Sequence, residues 1–248
     1  INLNRDFMRL ASPEAKAMAR LVAAWDPHLQ VDNHVTNGSD HHWLLTWLVA
    51  EAPILAPPVD AWVRLHLPKV LARIDDAGYS SGPYVSLVSR SDPTAGMIWD
   101  VVQPRYSSGY FPLRNRASIL IEMHAHRPFR ERVLANGAFI EQLMAEVGRS
   151  GKDLVRAVER ADAKTVTVGK PHAEPSEVVV RWKIAEEGDT ISWPASDWSI
   201  EESTVIGGTY LRYQPETTRE VELAWRHIPV ADLTLARPRG YLVLAAWP

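Results

Sequence analysis

The chain has 248 residues, with 27 Lys and Arg against 30 Asp and Glu, a net charge of −3, and 46% apolar residues. This is the balance of an ordinary globular protein long enough for one large domain or two smaller ones, and it argues against a dedicated nucleic-acid binder, which needs a basic face. No apolar run reaches the ~18–20 residues of a membrane-spanning helix, and in the absence of cysteine any metal must be held by His, Asp or Glu.

The first residue is Ile1 rather than Met, and it already adjoins a motif, Asn2-Leu3-Asn4-Arg5-Asp6-Phe7. We therefore expect a segment of a longer protein, whose targeting signals would not be visible here. Ser12-Pro13-Glu14 is a helix start, with Ser as N-cap, Pro in the first turn and an acid against the dipole. Met18, Leu21, Val22 and Trp25 follow at helical spacing, and Asp26-Pro27 stops the helix. Leu29–His34 reads as a short strand, with a turn at Asn37-Gly38. A helix is predicted over 57–77, with Trp62, Leu65, Val70, Leu71 and Ile74 inside, Pro68 as an interior perturbation and Gly78 as the stop.

Residues 79–117 are loop-rich, with strand-like pieces at 85–88 and 97–102; long irregular stretches of this kind commonly carry function. Ala117–Ala125 is the next strand. A helix over 127–147 has Phe129, Val133, Leu134, Phe139, Ile140 and Leu143 as its expected inner face, with Gly148 and Gly151 as breaks and a second helix over 152–163. After residue 164 β-formers cluster between turn residues, at 166–168, 178–182, 190–193, 209–213, 221–225 and 241–246. The pattern predicts an α/β part over 1–163 followed by a β-rich module over 164–248.

Two strands end in an unusual way. Interior strands of α/β proteins are normally apolar, yet one closes on Asp32-Asn33-His34 and another on Glu122. Open α/β sheets place their ligands at the carboxyl ends of strands. Asp32 and His34 share a strand face by the period of two. Together with Glu122 they form a candidate metal and acid/base site. The structural alternatives are a surface Arg5 paired with Asp6 or Glu14, a satisfied structural His34, and a Glu122 in a salt bridge to Arg114, Arg116 or Arg127. His41-His42 read as solvated loop residues. His124 and His126 continue the alternation past Glu122 and so are expected on its face. His66 and His227 have no spatial argument. Of the ten Trp residues, Trp193, Trp198, Trp225 and Trp247 fall in the β part, where core packing is favoured over sugar stacking.

The ordered set of Asn-x-Asn-Arg-Asp-Phe, Pro-Glu opening a helix, Asp-x-His closing a strand and a later strand ending in Glu resembles the zinc carboxypeptidase family (carboxypeptidase A-like) over roughly the first half of the chain. The resemblance implies a mixed sheet flanked by helices, a bound zinc ion, and hydrolysis of a peptide or amide bond next to a free carboxylate. It implies that Asn4 and Arg5 hold the substrate carboxylate, a task that suits a guanidinium fork. His34 would be a zinc ligand and Glu122 the base that activates the zinc-bound water. The family's substrate-binding Tyr precedes the Glu on a loop; Tyr106 and Tyr110 are nearest, both closer than that pattern places it, and Tyr110 with Arg114 are taken as substrate-binding candidates. A secreted or periplasmic setting also follows from the resemblance alone.

One departure is plain. The family's first two zinc ligands come from a His-x-x-Glu segment before the Asn-Arg pair, which this chain does not contain, and the later His172-Ala173-Glu174 has the wrong spacing. One ligand stands where three are needed. The enzyme reading therefore requires further ligands upstream. Its rivals are a metal-free carboxylate- or peptide-binding module with the same pocket, and an interaction protein whose β-rich half does the binding.

Overall fold

The structure, a computed structural model, describes residues 2–84, 86–89, 92–99, 103–170 and 176–242. After a short 3-10 helix at Leu3–Arg5 comes α1 (Pro13–Trp25), opened as expected: Ser12 Oγ accepts from Ala15 N at 3.2 Å, and Asp26 closes it in the left-handed conformation. Then follow β1 (Leu29–Val35), β2 (Leu45–Val49), α2 (Pro57–Asp76), β3 (Ser81–Pro83), β4 (Met97–Ile98), α3 (Ser107–Tyr110), β5 (Ala117–Met123) and α4 (Phe129–Val168). The chain continues through β6 (Glu177–Ile184), β7 (Asp189–Glu202), β8 (Thr209–Arg226) and β9 (Pro229–Ala236).

The principal sheet has the order β1-β5-β2-β3. It is mixed: β1 runs parallel to β5, β2 antiparallel to β5, and β3 parallel to β2. All seven residues of β5 are buried, as befits a strand with a neighbour on each side and covered faces. The main core joins Leu45, Leu48, Ile119 and Ile121 of the sheet to Val59, Trp62, Val70 and Ile74 of α2 and to Phe139, Leu143, Leu154 and Val158 of α4. The protein is thus an α/β fold, a mixed sheet flanked by helices, followed by a β-rich region. Among the described residues no helix is long and apolar enough to cross a membrane.

Helix α4 departs from expectation. It passes through Gly148 and Gly151 without a break and takes in Val166-Thr167-Val168, which was expected to be extended. The divide anticipated at 163/164 falls inside it. A glycine costs a helix interior only ~1 kcal/mol relative to Ala, whereas Phe139 and Leu143 before these glycines and Leu154, Ala157, Val158 and Ala161 after them enter one core. Tertiary burial carries the helix across. The buried stripe is Ala135, Phe139, Leu143, Glu146, Ser150 and Leu154; Phe129, Val133, Leu134 and Ile140 of the expected inner face are exposed. Glu146 sits in that stripe because it accepts from His66 Nδ1 at 2.8 Å and pairs with Arg73 at 2.8 Å. The hydrogen bond to His66, then that to Arg73, hold its carboxyl at about 2 despite burial. His66 therefore locks α2 to α4.

The β-rich region forms two small sheets, β4-β8-β7 and β6-β9. The pieces predicted at 209–213 and 221–225 are one long strand, β8. β2, β3 and β9 were not anticipated. Of the other predicted pieces, Leu87 makes only a bridge to Met97, Tyr241 and Leu242 are not in a strand, and Val85, residues 100–102 and 243–248, Trp247 among them, lie outside the described residues. Trp193 is fully buried in a second core with Met97, Ala195 and Leu223. Trp198 tilts against Trp193 and carries the Arg219 guanidinium 4.5 Å from its centroid. The loop after β1 hooks onto β7: His41 bridges Ala195 and His42 N donates to Pro194 O at 2.8 Å.

Candidate functional site

The site begins with strand register. β1 and β5 pair in parallel with Gln30 beside Ser118, Asp32 beside Leu120 and His34 beside Glu122. Residues two apart on a strand share a face, so these six line one side of the sheet, with His34 and Glu122 near the carboxyl ends of their strands. Asp32 Oδ2 lies 2.9 Å from His34 Nε2 and accepts from Ser107 Oγ at 2.5 Å. A carboxylate only accepts, so His34 Nε2 carries a proton toward Asp32, and in the neutral ring Nδ1 keeps the lone pair. Among the described residues no hydrogen bond engages that Nδ1.

The N-terminal turn arrives over the same face. Asn2 Oδ1 accepts from Asn4 N at 3.1 Å, and Asn4 Oδ1 accepts from Ser107 N at 3.1 Å. Arg5 donates from Nη1 to Asn4 O at 2.8 Å, and its guanidinium lies 4.2 Å from the Tyr106 ring centroid. Asp6, the nearest carboxylate in sequence, faces away. It accepts from Ala11 N at 3.0 Å, Ser12 N at 2.8 Å and Ser12 Oγ at 2.7 Å. These bonds, the one from Ala11 N foremost, hold its carboxyl at about 2. With Asp6 engaged, Arg5 makes no ion pair among the described residues. An Asp6→Ala variant is expected to release the turn, seen as faster hydrogen exchange at the Ala11 and Ser12 amides at pH 7. Because the folded pKa of Asp6 is depressed, its contribution is present above pH 4 and lost as pH falls toward 2. Unchanged exchange in the variant would remove Asp6 as the clasp.

A cavity of about 220 Å³ remains between the turn and the sheet, lined by Asn2, Asn4, Arg5, His34, Tyr84, Tyr106, Ser108, Leu120 and Glu122. Glu122 is buried and its Oε2 has no hydrogen-bond partner among the described residues. Burial disfavours its charged form, outweighs the pull of His34, is reinforced by Asp32, and raises the carboxyl to about 7. The salt bridge considered for Glu122 does not form: Arg116 is held by Asp26 at 2.8 Å and Asp162 at 3.0 Å, and neither Arg114 nor Arg127 pairs with it among the described residues. For Asp32, burial works to raise the pKa, but the bonds from His34 and Ser107 outweigh it and the net shift is downward. The bond to Asp32 raises His34 against the opposing effect of burial, with Asp32 and Glu122 charges adding to the rise and Arg5 opposing it.

Asn4, Arg5, His34 and Glu122 are brought together as the sequence led us to expect. Tyr110 and Arg114 are not among the residues lining the cavity. Tyr110 packs its ring 5.4 Å from Phe7 and 5.6 Å from Phe111, and the exposed Arg114 lies 5.9 Å from the centroid of the Tyr110 ring. The short helix α3 turns Tyr106 and Ser108 inward instead. Asn2, Tyr84 and Ser108 were missed; Asn2 alone had a signal, its place in the Asn-x-Asn-Arg motif. His124 also differs from expectation. β5 ends at Met123, so the alternation does not reach His124, which is buried with its Nε2 3.1 Å from Asp40. His41 is buried rather than solvated, and His42 Nε2 lies 3.0 Å from Thr217 O.

Among the described residues no group of three or more His, Asp or Glu side chains could hold a metal ion. His34 offers one oriented imidazole, and a zinc centre takes three or more protein ligands, so these residues alone do not fit a complete zinc site. His172-Ala173-Glu174 lies outside the described residues. In comparisons with known proteins, no family model, no curated protein and no solved structure matches this chain.

Proposed function

We propose that this chain carries the carboxylate-recognising and proton-transferring part of a zinc carboxypeptidase-like hydrolase, which cleaves a peptide or amide bond next to a free carboxylate. One observation carries the reading. Among the described residues, an arginine with no acidic partner and a buried glutamate whose Oε2 has no hydrogen-bond partner meet in one cavity, although they lie on opposite sides of a long stretch of chain. A free guanidinium in a polar cleft is a carboxylate receptor. A carboxyl near neutrality is suited to accept and return a proton at physiological pH. Stacking on Tyr106 and the bond to Asn4 O limit the freedom of Arg5, so less is lost when substrate binds.

In the reaction Arg5, with Asn4, fixes the terminal carboxylate and thereby sets the scissile bond against the sheet. Glu122 takes a proton from the attacking water as the new carbon–oxygen bond forms, then delivers it to the leaving nitrogen as the carbon–nitrogen bond breaks. Zinc in such a hydrolase would polarise the carbonyl and acidify the water. His34 by itself does not hold the ion, so the steps assigned here are those of this chain's own groups.

The single-imidazole donor set favours a second reading, a metal-free module that binds carboxylates or peptides in the same pocket. The protein as encoded by its gene should be analysed for zinc and assayed on an N-acyl dipeptide with a free carboxyl terminus and on its carboxamide. The hydrolase reading expects zinc, cleavage of the acid and little of the amide. Arg5→Ala is expected to lower kcat/KM on the acid by about 10- to 100-fold, the size of a lost charged hydrogen bond, with the amide unaffected. Binding without cleavage would establish the module instead. Neither binding nor cleavage would end both readings.

A further inference from the structure

Resting on the reading of this cavity as a carboxylate site, we propose that Ser107 is a positioning residue that ties the carboxylate anchor to the Asp32–His34 pair. Its two polar groups point two ways. The backbone N–H donates to Asn4 Oδ1 at 3.1 Å, and the hydroxyl donates to Asp32 Oδ2 at 2.5 Å. The same Oδ2 receives His34 Nε2 at 2.9 Å. One residue thus joins the turn that bears Arg5 to the strand that bears His34, across contacts 103 and 75 positions apart in sequence.

Ser107 is fully buried, and its hydroxyl has no helix-capping duty: the N-cap of α3 is Tyr106, with no side-chain cap bond. A serine in the first turn of a helix ordinarily spends its hydroxyl on local backbone. This one is spent on a carboxylate in another element. The neighbouring Tyr106 ring lies under Arg5, so two consecutive residues set the place of both the cationic anchor and the imidazole. Asp32 holds its orientation between two donors. With the hydroxyl removed it keeps His34 alone among the described residues, and a carboxylate held by one donor can rotate away from Nε2, which frees the imidazole proton to move between the two ring nitrogens. The Nδ1 lone pair that His34 presents depends on this arrangement.

The test reads the ring itself. At a pH where its titration shows His34 neutral, ¹⁵N NMR of the wild-type protein is expected to report one tautomer, protonated at Nε2. Ser107→Ala is expected to give averaged ring shifts from mixed tautomers, and to weaken binding of N-acetylalanine by about 3- to 10-fold, the range of one neutral hydrogen bond. Ser107→Thr, which keeps the hydroxyl, is expected to restore both. Ser107→Cys fills the site with a slightly larger group and a weaker donor and is expected to move the ring shifts in the same direction as alanine, which serves if the alanine variant does not fold. Wild-type ring shifts in either the Ala or the Cys variant would overturn the proposal. If wild-type protein fails to bind N-acetylalanine, the carboxylate reading fails, while the ring shifts still decide the role of Ser107.

Discussion

Replacing Glu122 by Gln is expected to abolish hydrolysis and, at alkaline pH, to make the protein more stable. Glutamine keeps the shape and removes the ionisable proton. A positioned acid or base contributes about 10²- to 10⁴-fold, so a loss of that order is expected in kcat with little change in KM. The stability effect follows from burial. The folded carboxyl titrates at about 7 against 4.5 for a free glutamate. The fold therefore favours the protonated form, and ionising it costs stability as pH rises from 4.5 through 7. The full cost above pH 7 is on the order of 3 kcal/mol. Glutamine never ionises, so melting temperatures of wild type and variant should agree near pH 4 and diverge by pH 9, with the variant higher. Wild-type activity should rise with pH about a midpoint near 7 as the base form appears. Parallel pH–stability curves, or a variant that still hydrolyses, would refute this account of Glu122.

The second large effect is expected at the seam between the two regions. His41 is buried, neither ring nitrogen has a hydrogen-bond partner among the described residues, and its ring centroid lies 4.5 Å from that of His124. Burial foremost, then the charge of His124, with smaller contributions from Arg127 and His42 and against the opposing pull of the Trp43 backbone, depress its pKa to about 3. His124 is also lowered, by burial first, with Asp40 opposing. In the unfolded chain His41 binds its proton near 6.5, in the fold only near 3. The stability it permits is therefore complete above 6.5 and is lost as pH falls toward 3, with a slope of up to ~1.4 kcal/mol per pH unit. Since His41 joins the loop after β1 to β7, loosening should begin there. In His41→Phe, which cannot titrate, the urea midpoint should be far less sensitive to pH between 7 and 5 than in the wild type. The slope is the readout, so a constant packing change does not obscure it. Equal slopes would show that His41 is not the acid-sensitive group. Asp6 acts in a separate window, below pH 4.

Elements with strong local signals were legible. Ser12-Pro13 and Asp26-Pro27 bracket α1, and the apolar runs into His34 and Glu122 mark β1 and β5. The period of two put Asp32 and His34 on one face before any fold was known, and the ion contact between them agrees. Where local and tertiary terms compete, the sequence misled. Gly148 and Gly151 signal a stop, but the penalty is small beside the burial on either side. Ala135 is too small to register as a core residue, and Phe129 is large enough to be mistaken for one. β2 sits between β5 and β3, where long-range pairing decides the matter.

The site divides along the same line. Residue identity determined which chemistry was available: a guanidinium, an imidazole beside a carboxylate, a glutamate at a strand end. Only the tertiary structure decided who meets whom. The β1–β5 register set His34 beside Glu122. The three donors that occupy Asp6 leave Arg5 without an acidic partner among the described residues, on the wall of the cavity. The end of β5 at Met123 sent His124 to Asp40 instead. Such outcomes depend on contacts between residues far apart in the chain and on the desolvation they create, and neither is written in any local stretch of sequence.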